Sequence, residues 1–426
     1  MNIAIAGYGT EGESNYRYYV DRGDDVTIVD EQAVPSRPLP DGAKTMLGEG
    51  SLNQLSGFDL VVRTAGLNPN KIAADSKIWS ATNEFFARCP APIIGVTGTK
   101  GKGTTCSLIA SILRASGTKV HLVGNIGIPA LSVINDIAPE DVVVYELSSF
   151  QLWDLEKSPH IAVVLMIEPD HLDVHADFNE YISAKANIVR HQRSDDITLY
   201  HPTNEASKII AQSGEGTKLR YAIVDDGQTY VKDGSFYVRD EVICDIDAMQ
   251  IPGGHNLDNA CAAISAILPF VTNVEYVEAG LRSFTGLPHR LKYVREVNGV
   301  KFYDDSIATT PGSAIAALRS FIEDKIIILG GSDKGADYGE IIDECKRTHA
   351  RVVAIGKTGE RIEQLCRERD VPVTRETGGM QTVVATAQRL AIPGNVVILS
   401  PASASFDQYK SYADRGEQFI AAVEGL

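Results

Sequence analysis

Short apolar runs rich in Val, Ile and Ala recur along the chain, each entering a turn rich in Gly, Asp or Ser and then a helical pattern. Residues 3–6, 26–30, 60–63, 93–97, 142–145, 163–167, 326–329, 352–355 and 396–399 have the unbroken apolar character of parallel strands covered on both faces. Helical patterns separate most of them, which predicts a doubly wound α/β architecture. The texture changes at 229–245, where Tyr230-Val231-Lys232-Asp233-Gly234-Ser235-Phe236-Tyr237-Val238 reads as a β-hairpin around Asp-Gly. Two breaks, Cys89-Pro90-Ala91-Pro92 and Thr285-Gly286-Leu287-Pro288, precede new elements. They predict three domains, 1–91, 92–287 and 288–426, with hinges at the two breaks.

Composition narrows the class. The chain has 426 residues, 44% of them apolar, enough at about 100–200 residues per domain for several cores. Scattered Gly and Pro exclude a mainly disordered chain. No apolar run approaches the ~18 residues of a membrane span, and the start reads as a strand entering a turn, without the basic flank of a signal peptide. The six cysteines (Cys89, Cys106, Cys244, Cys261, Cys345, Cys366) have neither metal-ligand spacing nor the density of a disulfide framework, so a reduced, cytoplasmic protein is expected. Asp plus Glu number 56 against 40 Lys plus Arg, and the net charge of −16 argues against nucleic acid or an anionic membrane as partner. An anionic ligand must then be held by local basic side chains and backbone N–H groups.

Two glycine loops offer such places. Gly7-Tyr8-Gly9-Thr10-Glu11-Gly12 follows the first strand and opens a helix, and Asp30 ends the next strand, where a ribose-binding acid would sit. Taken alone, this turn fits an NAD-dependent dehydrogenase, a cradle for another nucleotide's diphosphate, or a tight βα turn that binds nothing. The second loop, Gly95-Val96-Thr97-Gly98-Thr99-Lys100-Gly101-Lys102-Gly103-Thr104-Thr105, carries a lysine inside it. In phosphate-cleaving loops the backbone N–H groups cradle the β- and γ-phosphates, and a lysine placed like Lys102 neutralises charge as it moves. The strict G-x-x-x-x-G-K-[ST] pattern fails twice, with Val96 at the first Gly and Gly103 at the hydroxyl residue.

Gly98-Thr99-Lys100-Gly101-Lys102-Gly103-Thr104 resembles the G-T-N-G-K-[ST]-T loop of the Mur ligases and folylpolyglutamate synthases. Later segments resemble further Mur ligase motifs in order and spacing. They are Glu146-Leu147-Ser148-Ser149-Phe150-Gln151-Leu152, Asp170-His171-Leu172-Asp173 with Tyr181 and Ala184-Lys185, Gly254-His255-Asn256-Leu257-Asp258-Asn259, and Leu287-Pro288-His289-Arg290. A tail, Ser400-Pro401-Ala402-Ser403-Ala404-Ser405-Phe406-Asp407-Gln408, completes a likeness that spans essentially the whole chain. The E-L-S-S-F-Q-L run and this tail are similar to those of family members that add glutamate to UDP-N-acetylmuramoyl-L-alanine. The resemblance implies Rossmann-like domains at both ends and a central P-loop-type mononucleotide-binding domain. It also implies an ATP-dependent carbon–nitrogen ligase of peptidoglycan precursor synthesis, a cytoplasmic monomer that uses ATP, two Mg²⁺ ions, glutamate and the UDP substrate.

The same likeness assigns residues. Gly98, Thr99, Lys100, Gly101, Lys102, Gly103 and Thr104 would hold the ATP phosphates, Asn256 and Asn259 the adenine, and Asp305 the ribose, with Arg290 clamping phosphates. Glu146 and Thr104 would hold one Mg²⁺ and His171 the other, with Lys185 as a carbamylated, carboxylate-like ligand, a modification that requires a neutral amine. Lys102, His171, Lys185 and Arg290 form the implied catalytic set. Gly7, Gly9, Thr10, Glu11, Gly12, Asp30, Thr64, Asn125, Ser148 and His175 are implied for the UDP substrate, and Thr309, Lys334, Ser405, Phe406 and Tyr412 for glutamate. Without the family frame, Glu146 reads as a solvated strand-end acid, His171 as a structural histidine and Lys185 as a surface lysine.

The chain departs from the pattern at Gly103, which offers Mg²⁺ no hydroxyl, at Lys100 where Asn is common, and at Met166 and Glu168 before His171. Ile307 and Thr310 depart from a D-S-K-A-T-N loop. Some relatives with a D-D-S-I-[AS]-T-T-P loop accept L-glutamate, so both enantiomers stay open here, with D-glutamate favoured. A dehydrogenase would leave Lys102, Glu146 and His171 without work.

Overall fold

The computed structural model describes residues 1–125, 128–224, 226–333 and 335–426. Within them the chain is a multidomain α/β protein with mainly parallel sheets. Its contacts define two compact units, residues 1–248 with 255–283, and 249–254 with 284–426.

The first unit holds two parallel sheets. In the first, β1 (Asn2–Ala6), β2 (Asp25–Asp30), β3 (Lys44–Leu47), β4 (Leu60–Arg63) and β5 (Lys77–Ser80) lie in the order β3-β2-β1-β4-β5, with helices α1 (Thr10–Asp21) and α2 (Ala81–Arg88). In the second, β6 (Ile93–Thr97), β7 (Val120–Gly124), β8 (Val142–Glu146), β9 (Ile161–Val164), β10 (Ile197–Tyr200) and β11 (Thr217–Arg220) lie in the order β11-β10-β9-β6-β8-β7. Helices α3 (Lys102–Ala115), α4 (Ser149–Leu152), α5 (Phe178–Arg190) and α6 (Glu205–Gln212) connect its strands. The strand order reverses at β1 in one sheet and at β6 in the other. Open α/β sheets bind ligands at such switch points, beyond the carboxyl ends of the strands. Both glycine loops lie there.

The expected hairpin is observed as β12 (Thr229–Lys232) and β13 (Ser235–Val238), extended by β14 (Glu241–Asp245) into an antiparallel sheet beside α7 (Gly254–Ile267) and α8 (Val274–Ser283). One expected strand is misplaced. β9 stops at Val164, and 165–167 leave the sheet toward the second glycine loop, where Thr99 N–H donates to Met166 O at 3.0 Å. The Asn204 side chain then holds both the N–H and the C=O of Ile167 at 3.1 Å.

Helix α2 packs into the core of the second sheet, whereas strands β1, β2 and β4 have core clusters of their own. Phe85 and Phe86 of α2 pack on Tyr145 of β8 with ring centroids 5.4 and 5.7 Å apart. Movement at Pro90–Pro92 would expose both phenylalanines, each worth about 1.5–3 kcal/mol when buried. The residues just before that expected hinge therefore pack on the second sheet.

The second unit is a mixed sheet, β15 (Lys292–Val297), β16 (Val300–Asp304), β17 (Lys325–Gly330), β18 (Arg351–Ile355), β19 (Val373–Arg375) and β20 (Val396–Leu399), in the order β15-β16-β20-β17-β18-β19, with only β15 antiparallel to its neighbour. Helices α9 (Pro311–Arg319), α10 (Gly339–Arg347), α11 (Gly359–Glu368), α12 (Met380–Leu390) and α13 (Tyr412–Glu424) cover it. Val383, Val384 and Phe419 belong to one core cluster of this unit, and Leu318, Ile341 and Ile362 to another. Among the described residues no helix is long and apolar enough to cross a membrane.

Candidate active site

The apolar strand β6 delivers the loop 98–101 into α3, whose N-cap is Gly101 at φ +84°. Glycine is required there twice over, because a Cβ would also lie 2.4 Å from Asn259 Oδ1. Lys102 opens α3 and donates Nζ to the carbonyls of Gly98 and Thr99, both at 3.0 Å. From α5, Lys185 reaches the same place. Only 1% exposed, it donates to Gly98 O at 3.0 Å and Thr97 Oγ1 at 3.3 Å, above the Tyr181 ring. Two lysine side chains thus meet on one carbonyl. Burial first, and then the Lys102 ammonium, push the Lys185 amine well below the ordinary lysine value, against the opposing pull of Asp170 and Glu146. Glu146 ends β8 opposite Val96 of β6 and is buried. Thr104 is buried in the first turn of α3, and Gly103 before it contributes no side-chain oxygen.

Thr99 staples the loop to the next segment. Its Oγ1 accepts from Glu168 N–H at 2.9 Å, lies 3.0 Å from Glu168 O, and is 3.1 Å from Tyr181 Oη. Lys100, largely exposed at the loop tip, pairs with Glu168 at 3.3 Å. His171 follows at φ +53°, half exposed, with Nε2 3.5 Å from Asp170. Its carbonyl accepts from the N–H groups of Val174 and His175. On the other side of the loop, Asn259 donates to Asn256 Oδ1 at 3.1 Å, and both are buried. Burial, and then Lys100, lower the pKa of neighbouring His255, partly offset by Asp258. The phosphate-loop residues, Glu146, Lys185, Asn256 and Asn259 are therefore brought together. His171 stands at the rim.

The N-terminal turn is also tight. Gly7 takes φ +90°, and a Cβ on it would lie 2.3 Å from Thr64 Oγ1. Gly9 is the N-cap of α1 and Thr10 its first residue; neither Gly9 nor its neighbours supply a side-chain cap. Gly12 approaches Gly7 O so closely that a Cβ would stand 2.1 Å from it. Asp30 accepts from the N–H groups of Tyr8 at 2.7 Å and Gln32 at 2.9 Å, bracing the turn. Glu11 accepts from Ala65 N–H at 2.7 Å, and burial raises its pKa against that bond and Arg63. Ser148 caps α4 in a reciprocal box with Gln151. His175 is 2% exposed, stacked against both Phe150 and Trp153, with Nε2 3.0 Å from Ser149 Oγ; burial lowers its pKa. It is a core histidine of the α4–α5 packing and does not line open surface. Asn125 is exposed after β7, while its motif neighbours Ile126 and Gly127 lie outside the described residues.

In the second unit Asp305 follows β16, 4% exposed, accepting from Ser400 Oγ at 2.6 Å and Leu291 N–H at 3.2 Å. Burial pushes its carboxyl up to about 7, against those two bonds and Arg290. Arg290 is exposed next to buried His289, whose Nδ1 lies 2.6 Å from Asp304. Thr309 is exposed, Ser405 buried, and Phe406 and Tyr412 are 70% and 42% exposed. Lys334 lies outside the described residues.

Known proteins resolve the choice among readings. The model of the Mur ligase middle domain matches residues 96–267, and that of the Mur ligase glutamate ligase domain matches 289–403. A UDP-N-acetylmuramoylalanine--D-glutamate ligase of Acetivibrio thermocellus is 38% identical over all of this chain and 96% of its own length. The enzyme of that name from Ruminiclostridium cellulolyticum is 37% identical over equal shares. The chain belongs to the Mur ligase family. Among solved structures, the UDP-N-acetylmuramate-alanine ligase MurC of Thermotoga maritima superposes with a TM-score of 0.61 at 16% identity, over 100% of this chain and 99% of its own. MurF of Acinetobacter baumannii gives 0.62 at 17% identity over 84% and 85%. These two establish the likeness of fold. Family membership also removes the dehydrogenase reading of the N-terminal turn.

Several residues of this Mur ligase matter to the sites and were not singled out by sequence. Arg415, fully buried, donates to Ser306 Oγ at 2.9 Å, Ser306 O at 2.8 Å and Ser403 O at 3.0 Å, tying the loop that carries Asp305 to the one that carries Ser405. Burial lowers its pKa to about 10. Arg63 and the His289–Asp304 pair likewise emerge only from the fold. A charge closing an unbroken apolar strand was the available signal for Arg63.

Proposed function

We propose that this Mur ligase joins D-glutamate to UDP-N-acetylmuramoyl-L-alanine at the expense of ATP. The observation that carries this reading is the convergence of Lys102 and Lys185 on Gly98 O beside the buried carboxylate of Glu146. Such a place accepts a polyphosphate and gathers charge to oppose it. The γ-phosphoryl group passes to the carboxylate of the UDP substrate, giving an acyl phosphate and ADP. The glutamate amine then attacks the acyl carbon, an amide forms, and phosphate leaves with the amine's proton taken up by a base.

The residues fit Mg²⁺. This ion keeps waters and takes one or two carboxylates plus phosphate oxygens, so it needs no dense protein cage. Among the described residues no group of three His, Cys, Asp or Glu forms one. Glu146, with Thr104, would hold the nucleotide-bound ion, and His171 with carbamylated Lys185 a second. Bound there, Mg²⁺ supplies charge neutralisation for the transferring phosphoryl group. Burial lowers the Lys185 pKa and so favours the neutral amine that addition to CO₂ requires. Lys102 would follow the moving charge, Asn256 and Asn259 would hold adenine, Asp305 the ribose and Arg290 the phosphates. Residues 1–91 would carry the UDP substrate, 92–287 ATP, and 288–426 glutamate through Thr309, Lys334, Ser405, Phe406 and Tyr412.

Phosphate release measured with ATP, Mg²⁺, UDP-N-acetylmuramoyl-L-alanine and each glutamate enantiomer tests the reading. Release is expected only with both substrates and with D-glutamate. Turnover with L-glutamate alone would transfer the assignment to the other enantiomer, and turnover with neither would remove glutamate.

Asp305 gives the nucleotide affinity a pH dependence. A carboxyl titrating near 7 is increasingly protonated below that pH, and the protonated form loses its capacity to accept from both ribose hydroxyls. The dissociation constant for ATP is expected to rise between pH 8 and 6, approaching tenfold per unit at the acid end. Asp305→Asn should flatten the profile. The sign for stability is opposite: a carboxyl raised from about 3.9 favours the fold below that value and loses this contribution as pH rises through 7. The Asn variant should therefore melt higher than the parent at pH 8.

A further inference from the structure

Arg63 closes β4, and none of its side chain reaches solvent. Its fork meets Asp154 through Nε at 2.8 Å and Nη2 at 2.6 Å, the two-pronged geometry that arginine alone provides. Nη2 also donates to Phe150 O at 2.9 Å, and Nη1 to Leu67 O at 3.2 Å and Thr64 O at 3.4 Å. All five N–H groups are engaged, on two different segments. One is the turn after β4, where Thr64 packs against Gly7 and Ala65 binds Glu11, so this turn forms a wall of the N-terminal glycine turn. The other is α4 and its exit. The Phe150 ring lies 5.0 Å from His171 and is stacked 5.5 Å from His175. Asn83 reinforces the seam, donating to Asp154 O at 2.8 Å and accepting from Glu156 N–H at 2.9 Å.

We propose that Arg63 is a positioning residue that keeps the nucleotide-sugar diphosphate turn in register with the α4–His171 segment, so that a substrate gripped at one end presents its carboxylate correctly at the other. This rests on the reaction proposed above. A substrate held at two subsites gains affinity from the second only while their spacing matches its own length. Arg63 touches neither reacting atom. It acts through Thr64 and Phe150.

The test uses the full chain and compares binding of UDP alone with binding of UDP-N-acetylmuramoyl-L-alanine, together with kcat and the KM for ATP. In Arg63→Lys the charge stays but the fork is lost. UDP affinity and the ATP KM are expected to stay within twofold, while the preference for the full substrate over UDP falls at least tenfold and kcat falls with it. Asp154→Asn, which keeps one acceptor oxygen, should shift the same ratio in the same direction by less, and carries the test if Arg63→Lys does not fold. An unchanged ratio in a folded variant overturns the inference alone. Equal losses for UDP, ATP and the full substrate also overturn it, since they mark general loosening. If the unmodified protein neither binds nor turns over the UDP substrate, the proposed reaction falls and the inference with it.

Discussion

Lys102→Ala is expected to lower kcat by about 10²–10³-fold while leaving the fold intact. Removing one donor aimed at developing charge costs about 2.7–4 kcal/mol in comparable sites, and a tenfold rate change corresponds to about 1.4 kcal/mol. The side chain is only partly buried and lies over the carbonyls of Gly98 and Thr99. Water can satisfy both carbonyls after truncation, so the melting temperature should move by a few degrees at most. A second consequence follows from the shared carbonyl. The Lys102 ammonium is the second cause, after burial, of the depressed Lys185 pKa, so its loss lets Lys185 hold its proton to higher pH. Lys102→Arg restores charge but not the compact head, and should recover only part of the rate. Single-turnover measurement of acyl-phosphate formation with saturating ATP locates the loss. An alanine variant retaining more than about a tenth of the parent rate would contradict the role.

The strands legible in the sequence and those missed differ in a physical way. Runs such as 3–6, 93–97, 326–329 and 396–399 are covered on both faces, and these interior strands were placed within a residue or two. β3, β5, β7, β11, β15 and β19, which no apolar run marks, are all sheet edges, whereas β10 and β16, equally unmarked, lie inside their sheets with Thr198 and Lys301 interrupting the apolar pattern. Edge strands carry polar and exposed positions, as in the pattern of β11, Thr-Lys-Leu-Arg, so hydrophobicity alone does not mark them. The overrun of the expected strand at 163–167 has the same origin. Leu165 and Ile167 are buried, but against the glycine loop and Asn204, which periodicity does not distinguish from a sheet. At the site, the phosphate loop, Glu146, Lys185 and the two asparagines were legible because the spacing of a motif fixes backbone geometry. Arg415 and Arg63 were not, since each acts across more than 85 residues of chain, on Ser306 and on Phe150, through contacts that only the fold creates. His175 shows the converse. Its place in a motif pointed to a ligand, whereas its ring is a stacked, buried part of the core.

Lys185→Met is expected to abolish ligation, lowering kcat by at least 10²-fold, with nucleotide affinity retained within a few fold. The fully enclosed amine has no solvent to keep it charged, and an adjacent ammonium further disfavours its proton. A neutral amine adds CO₂, forming an N–C bond and giving up one N–H proton to water; the resulting carbamate is an anion, which the Lys102 ammonium and a bound cation would both stabilise. Methionine fills a similar volume and can do none of this. It also leaves Gly98 O with its bond to Lys102 alone, so the cost in stability at the site is moderate. Linkage gives a sharper readout than stability itself. A lysine whose folded pKa is depressed contributes stability above its unfolded value near 10.4 and loses it progressively as pH falls toward the depressed value. The parent should therefore lose melting temperature between pH 10 and 8 by more than Lys185→Met does. Depleting CO₂ from the buffer should lower the parent's rate, and added bicarbonate should restore it within minutes, while the methionine variant responds to neither. A parent enzyme indifferent to bicarbonate after exhaustive CO₂ removal would leave Lys185 as a cationic partner of the phosphates and rule out its role as a metal ligand.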